Sequence, residues 1–189
     1  MNHEDYIDEI LRVIVLLKEM EVPITKAADK IIENYSAGGV LLVCGNGGSA
    51  ADAQHLVAEH IGAYMDRDRK SFPAIDLSSN TSNLTAVSND FGYAEVFARQ
   101  LDAFDRIGYV LIGISTSGNS KNVNRAIEKA KEQGHFTIGL SGKEGGRLSE
   151  IADLCITVPD TNMTPVVQTA HNIIYHRICE LVEKGYKHG

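Results

Sequence analysis

The sequence predicts an α/β fold: a doubly wound, mainly parallel five-stranded sheet flanked by helices and preceded by a helical hairpin. Three observations predict it. Five short apolar runs recur between residues 40 and 158. Helix-like stretches lie between most of them. The runs read as near-continuous Val, Ile and Leu, the pattern of strands buried on both faces. With 189 residues, 43% hydrophobic and 23% charged, the chain is long enough for one ordinary domain with a sizeable core and short for two. No repeat, low-complexity tract or long linker divides it, so residues 1–189 are read as one domain, with the hairpin in 1–36 and the α/β core and closing helix in 37–189.

Ile7, Ile10, Leu11, Ile14 and Leu17 recur at helical spacing, so Asp5 to Met20 reads as an amphipathic helix. Val22-Pro23 breaks it, and a second helix runs from Thr25 to Tyr35. Val40–Cys44 is the first strand, followed by a helix from Ser49 to about Tyr64. Pro73–Leu77 is the second strand, with helical stretches at Asn83–Val87 and Ala94–Ala103 behind it. Tyr109–Ile114 is the third strand, Lys121–Gln133 a helix, Phe136–Leu140 the fourth strand and Leu154–Val158 the fifth. A long closing helix runs from Met163 to Lys184, with a basic last turn and Gly185 as its stop. In such a sheet, ligands lie outside the carboxyl ends of the strands.

Eighteen Lys and Arg against 25 Asp and Glu give a net charge of −7, and no basic run stands out. Bulk electrostatic binding to nucleic acid or membrane is not expected. No apolar stretch approaches the ~20 residues of a membrane helix, and the acidic N-terminus resembles neither a signal nor a transit peptide. Cys44, Cys155 and Cys179 are far apart and form no Cys-x-x-Cys pair; reduced thiols in a cytoplasmic protein are expected. An anionic ligand, if bound, must be met by a local site.

Four constellations could form one. Gly45-Asn46-Gly47-Gly48-Ser49 leaves the first strand and opens a helix, where backbone N–H groups and the helix dipole suit an anionic or hydroxylated ligand; a plain tight turn is the bland alternative. It also fits a dinucleotide fingerprint, but Asp76 lies 31 residues after Gly45, too far for the ribose-binding acid. Ser115-Thr116-Ser117-Gly118-Asn119-Ser120 leaves the third strand and enters the next helix. It has no Gly-Lys-Ser/Thr and is no nucleotide-hydrolysing loop, whereas its hydroxyls suit a phosphate monoester. As a mere N-cap it would need one Ser or Asn. His55 and Glu59 share a helix face one turn beyond Asp52, the spacing of metal ligands, of a base with its partner, or of a surface ion pair. Gln168, His171, Asn172 and His176 interrupt the otherwise apolar closing helix. Gln168 and His176 lie eight residues apart, ~12 Å along an ideal axis, so they meet one ion only by stretching, through a bend, or with a second subunit.

Together these residues resemble the sugar isomerase (SIS) domain family and, within it, the phosphoheptose isomerases. The resemblance covers nearly the whole chain: the N-terminal helices, Cys44–Ser49, Asp52 with His55 and Glu59, Asn89-Asp90-Phe91-Gly92, Gly113–Ser120, Gly142–Gly146, then Gln168 and His176. Where members often carry Arg-Ile-Gln-Glu, this chain has Val166-Val167-Gln168-Thr169. The resemblance implies isomerisation of sedoheptulose 7-phosphate to D-glycero-D-manno-heptose 7-phosphate. It implies that Ser115, Thr116, Ser117 and Ser120 hold the phosphate, and that Asn46, Gly47, Gly48, Glu59, Asn89, Asp90 and Gln168 line the substrate. His55, Glu59, Gln168 and His176 are implied to bind zinc, with Glu59 and His176 also acting as base and acid. It further implies a homotetramer with sites built between subunits. The residues agree with that chemistry, because an enediol route needs a carboxylate base, an acid or Lewis acid, and a phosphate anchor. The alternative is a non-catalytic SIS protein, either a replication-initiator-associating scaffold or a sugar-phosphate sensor; neither requires the Glu59/His176 pair.

Overall fold

The structure, a computed structural model, describes residues 1–186, so Lys187–Gly189 of the expected domain lie outside the described residues. Among them, β1 (Val40–Gly45), β2 (Ala74–Asp76), β3 (Tyr109–Ser115), β4 (Phe136–Ser141) and β5 (Leu154–Thr157) form one sheet in the order β2-β1-β3-β4-β5. All four pairings are parallel. The helices are α1 (His3–Leu16), α2 (Glu21–Ser36), α3 (Gly48–Ile61), α4 (Thr81–Phe91), α5 (Ala98–Leu101), α6 (Lys121–Glu132), α7 (Gly146–Ile151) and α8 (Thr164–Gly185).

Successive residues of each strand feed opposite faces. Leu41, Val43, Ile112, Ile114, Ile138 and Leu140 join a core with α1, α2, α3 and α8. Val40, Leu42, Cys44 and Leu111 join a second core with α5, α6 and α7. This two-sided burial is why the strands carry no polar alternation. Val166 and Val167, the departures beside Gln168, are buried in the first core.

The N-terminal helices depart from the expected hairpin. The break falls at a 3₁₀ turn, Leu17–Met20, and the junction residues Leu16, Leu17 and Glu21 keep right-handed helical dihedrals. The chain therefore runs on as one long, kinked arm whose two parts both pack on α8. Pro23 does not break it, because it stands third in α2, where its missing N–H would have no partner within the helix. At the other end of the arm Asn2 caps α1, accepting the Asp5 N–H at 2.9 Å while Asp5 accepts the Asn2 N–H at 3.0 Å.

Two further differences matter below. α4 extends over Thr81–Phe91 because Asn80 caps it, accepting the Asn83 N–H at 3.0 Å, and none of its residues is buried. α7 goes unforeseen in the sequence, since six residues behind two glycines are too few to display a period. Among the described residues no helix is long and apolar enough to cross a membrane.

Candidate active site

The strand order places β1 and β3 side by side, and their following helices leave toward opposite faces: α3 joins the first core and α6 the second. Such a reversal opens a crevice at the carboxyl edge of the sheet, between the loops after β1 and β3. The glycine loop and the serine loop are those two loops.

The serine loop is fixed by its backbone. Gly118 has φ +67°, and a Cβ there would lie 1.8 Å from the Gly145 carbonyl oxygen, so only glycine lets the two loops touch. The Gly118 carbonyl accepts the Leu148 N–H at 2.9 Å and Asn124 Nδ2 at 3.2 Å. Asn119 Nδ2 donates to the Ser117 carbonyl at 2.9 Å, and its Oδ1 accepts the Arg147 N–H at 3.1 Å. On this frame the Ser115 and Ser120 hydroxyls share a 2.9 Å hydrogen bond. Thr116 and Ser117 are half-buried beside them. Ser120 directly precedes α6, yet its hydroxyl makes no capping bond. Helix capping thus leaves the Ser120 side chain unexplained.

The proton-transfer candidates lie on a seam between α3 and α8. These helices run parallel with a constant offset of 120 residues: Asn172 Nδ2 donates to Asp52 Oδ1 at 3.2 Å, and the Tyr175 hydroxyl bonds His55 Nδ1 at 2.9 Å. Gln168 opens the seam against Gly48, where a Cβ would fall 1.8 Å from Gln168 Nε2. Further along, His55 Nε2 lies 3.0 Å from Glu59 Oε1 and 3.4 Å from His176 Nε2. One ligand atom from each of His55, Glu59 and His176 falls within 4.8 Å of the others. The structure therefore gathers these three, while the Gln168 amide stands at Gly48, seven residues and about 10 Å earlier along α3.

The surroundings shape the chemistry. Burial, with His55 close by, holds the His176 imidazole below its usual pKa, opposed by Glu59. Burial raises the Asp52 carboxyl to about 6, and its Oδ2 has no hydrogen-bond partner. Buried Arg69 closes the far end of α3, donating to the Glu59 and His60 carbonyls at 2.6 and 3.0 Å while paired with Glu183 at 2.8 Å. His171 is structural: its Nε2 bonds the Ser141 carbonyl at 2.9 Å, and burial lowers its pKa to about 4.

At the glycine-loop end, Asn46 pairs with Asn122 of α6, and the Tyr93 hydroxyl donates to Asn46 Oδ1 at 3.1 Å. Asn89 and Asp90, at the exposed end of α4, bond one another at 2.8 Å. Tyr93, three residues on, links that segment to the crevice. Sequence reasoning passes over Asn122, Tyr93 and Tyr175. A buried Asn just inside a helix that follows a serine-rich loop is the one faint signal, for Asn122.

Comparison with known proteins defines the class first: residues 5–142 match the SIS domain family, and the chain belongs to it. The chain is 51% identical over 160 residues to a phosphoheptose isomerase of Rhodospirillum rubrum, covering 85% of this chain and 84% of that protein. It is 45% identical over 172 residues to that of Helicobacter pylori, covering 91% and 88%. The structure of the phosphoheptose isomerase of Neisseria gonorrhoeae superposes with a TM-score of 0.88 at 36% identity, covering 96% of each chain. Within the SIS family, this chain falls among the phosphoheptose isomerases.

Proposed function

We propose that the protein isomerises sedoheptulose 7-phosphate to D-glycero-D-manno-heptose 7-phosphate, the step that opens bacterial heptose synthesis. The observation that carries the reading is the convergence of His55, Glu59 and His176 on helices that meet the glycine loop at Gly48. In this reading Ser115, Thr116, Ser117 and Ser120 hold the phosphate at the start of α6, spending binding energy remote from the reacting carbons on positioning. Asn46, Gly47, Gly48, Asn89, Asp90 and Gln168 line the sugar. Glu59 takes the proton from C1 and returns one to C2, so the electron pair passes through an enediol. His176 gives a proton to O2 and accepts one from O1, leaving the aldehyde at C1.

A divalent metal, zinc in this reading, suits the same cluster. Two imidazole nitrogens 3.4 Å apart beside a carboxylate oxygen form a nitrogen–oxygen donor set, and burial disfavours the charged form of His176, the direction that ligation needs. When bound, the ion would polarise the sugar oxygens as a Lewis acid. The Tyr175 hydroxyl bonds His55 Nδ1 and leaves Nε2 facing the cluster. Within one protomer Gln168 serves the sugar end of the seam.

The whole chain works as one SIS domain, because β5 and α8, beyond the matched segment, complete the sheet and supply Gln168 and His176. A homotetramer with shared sites is supported by α1, which exposes Ile7, Leu11 and Val15 along one face, and by α4, which packs on the second core only through the half-buried Leu84 and Val87. Three free cysteines fit the cytoplasm. The test is to incubate the purified protein with sedoheptulose 7-phosphate and follow aldose formation with and without a chelator. Turnover is expected, reduced by the chelator. No turnover in either condition would overturn the reading in favour of a scaffold or sensor.

A further inference from the structure

Asn122 and Tyr93 take no part in the proton transfers above, yet both hold Asn46. Asn122 is 3% exposed. Asn46 Nδ2 donates to Asn122 Oδ1, and Asn122 Nδ2 donates to Asn46 Oδ1, each at 2.8 Å. The Tyr93 hydroxyl donates to the same Asn46 Oδ1 at 3.1 Å. The tyrosine itself is 55% exposed. Gly92 turns the chain to bring it there, with φ 89° and ψ 155°, a conformation essentially reserved for glycine.

The polarity of this network is set by the backbone. The Val123 N–H donates to Asn122 Oδ1 at 3.0 Å, so a turned-over Asn122 would set an NH₂ against an N–H. With Asn122 fixed, its Nδ2 has to donate to Asn46, and Asn46 has to present Oδ1. That oxygen then takes the only hydroxyl proton of Tyr93. The phenol oxygen is left with lone pairs and no hydrogen for solvent, while Asn46 keeps one Nδ2 hydrogen. An acceptor beside a donor is the complement of a sugar hydroxyl, which is both.

We infer that Tyr93 is a specificity-determining residue that accepts a hydrogen bond from one hydroxyl of the sugar's polyol chain, and that Asn122 is the positioning residue that sets this polarity through Asn46. The inference rests on the isomerase reading and adds what the site excludes: ketose phosphates lacking that hydroxyl. A site built to bond a hydroxyl rejects the analogue without it, because its own polar group is left unpaired.

The test is calorimetric binding of sedoheptulose 7-phosphate and its 4-, 5- and 6-deoxy analogues to a Glu59→Gln protein, which holds the sugar without turning it over. With Tyr93 present, one of the three analogues binds roughly tenfold more weakly than the parent sugar, the ratio one hydrogen bond supplies. With Tyr93→Phe added, the parent sugar weakens by a similar factor and that analogue loses nothing more. Tyr93 is exposed, so its substitution leaves the fold intact. Asn122→Asp has the same shape without the Nδ2 donor and produces the same loss of discrimination. Equal weakening of all four compounds by Tyr93→Phe, no weakening at all, or no sugar binding in the Glu59→Gln protein would overturn the role of Tyr93. Retained discrimination in Asn122→Asp would overturn that of Asn122. Failure of the isomerase reading looks different: the unsubstituted protein would bind the sugars with this discrimination and turn none over.

Discussion

At the β3 end of the crevice, four hydroxyls stand on a loop whose carbonyls are tied to Leu148, Asn124 and Asn119. At the α3/α8 seam, His55, Glu59 and His176 meet through side chains alone, and all three are partly exposed. The first region is neutral, and its order comes from the backbone. The second is titratable, and its order comes from the register of two helices. An anchor has to keep one geometry at every pH, whereas a proton-transfer group has to change its protonation state without dragging the backbone with it. If the serine loop is the anchor and the seam the proton-transfer site, binding and chemistry fail separately, and the substitutions below test that.

The most severe way to break the seam is Glu59→Gln. It keeps shape and an oxygen but removes the base, so kcat falls by about 10²–10⁴-fold, while sugar phosphate still binds through the serine loop. His176→Gln does the same and also lowers bound metal, measured by elemental analysis. The double variant is hardly worse than either single one, because groups acting as a unit are non-additive. Steady-state kinetics beside calorimetry checks this; near-normal turnover in Glu59→Gln would reduce the His55–Glu59 contact to an ion pair.

The next effect separates buried imidazoles from the seam's exposed ones. His171 and His60 stay neutral in the fold, with burial lowering their pKa from 6.5 to about 4 and about 3. Between pH 6 and 4 the unfolded chain therefore binds two protons that the native state does not. Asp52, raised from 3.8 to about 6, binds one in the native state and offsets one of them. The unfolded chain is left with the excess of bound protons, so stability decreases as the pH is lowered through that window. Denaturant melts at pH 6, 5 and 4 measure the slope. His171→Gln, which keeps an N–H for the Ser141 carbonyl, flattens it; an unchanged slope would show that His171 does not set it.

The smallest effect probes the anchor. Ser117→Ala and Ser120→Ala each raise KM at nearly constant kcat, by about 1 kcal/mol and somewhat more where the hydroxyl meets a charged oxygen. Initial rates over a range of substrate concentrations decide it. Unchanged KM in both would leave the serines as parts of the loop and nothing else.

How much of this was legible in the sequence follows the range of each interaction. The strands and the His55–Glu59 pair are local, set by short continuous apolar runs and by a period of 3.6 residues, and they stand where the pattern puts them. The excess of hydroxyls at Ser115–Ser120 is visible because a helix cap needs only one. The eight-residue gap between Gln168 and His176 asks for a bend or a second subunit so long as both must reach one point. Within one protomer the parallel register of α3 and α8 sets them at successive levels of the seam, and a register across 120 residues leaves no periodic trace. The Asn46–Asn122–Tyr93 network is hidden for the same reason: its members come from the loop after β1, the first turn of α6 and the 3₁₀ turn after α4, brought together by the strand order. The expected hairpin gives way to one kinked arm because Pro23 signals a break only in a helix interior, and it stands in a first turn.

The parallel docking of α8 on α3 also has a consequence for the chain during its synthesis. The serine loop and the residues that tie it down, as far as Leu148, all precede α8, so an emerging polypeptide could order this loop early from contacts close in sequence. The seam closes only when residues 164–185 have left the ribosome and found partners more than a hundred positions back, the kind of distant pairing that is slow to form. Until then His55 and Glu59 stand on one wall of an open groove, so in the proposed reading the anchor is assembled before the proton-transfer site.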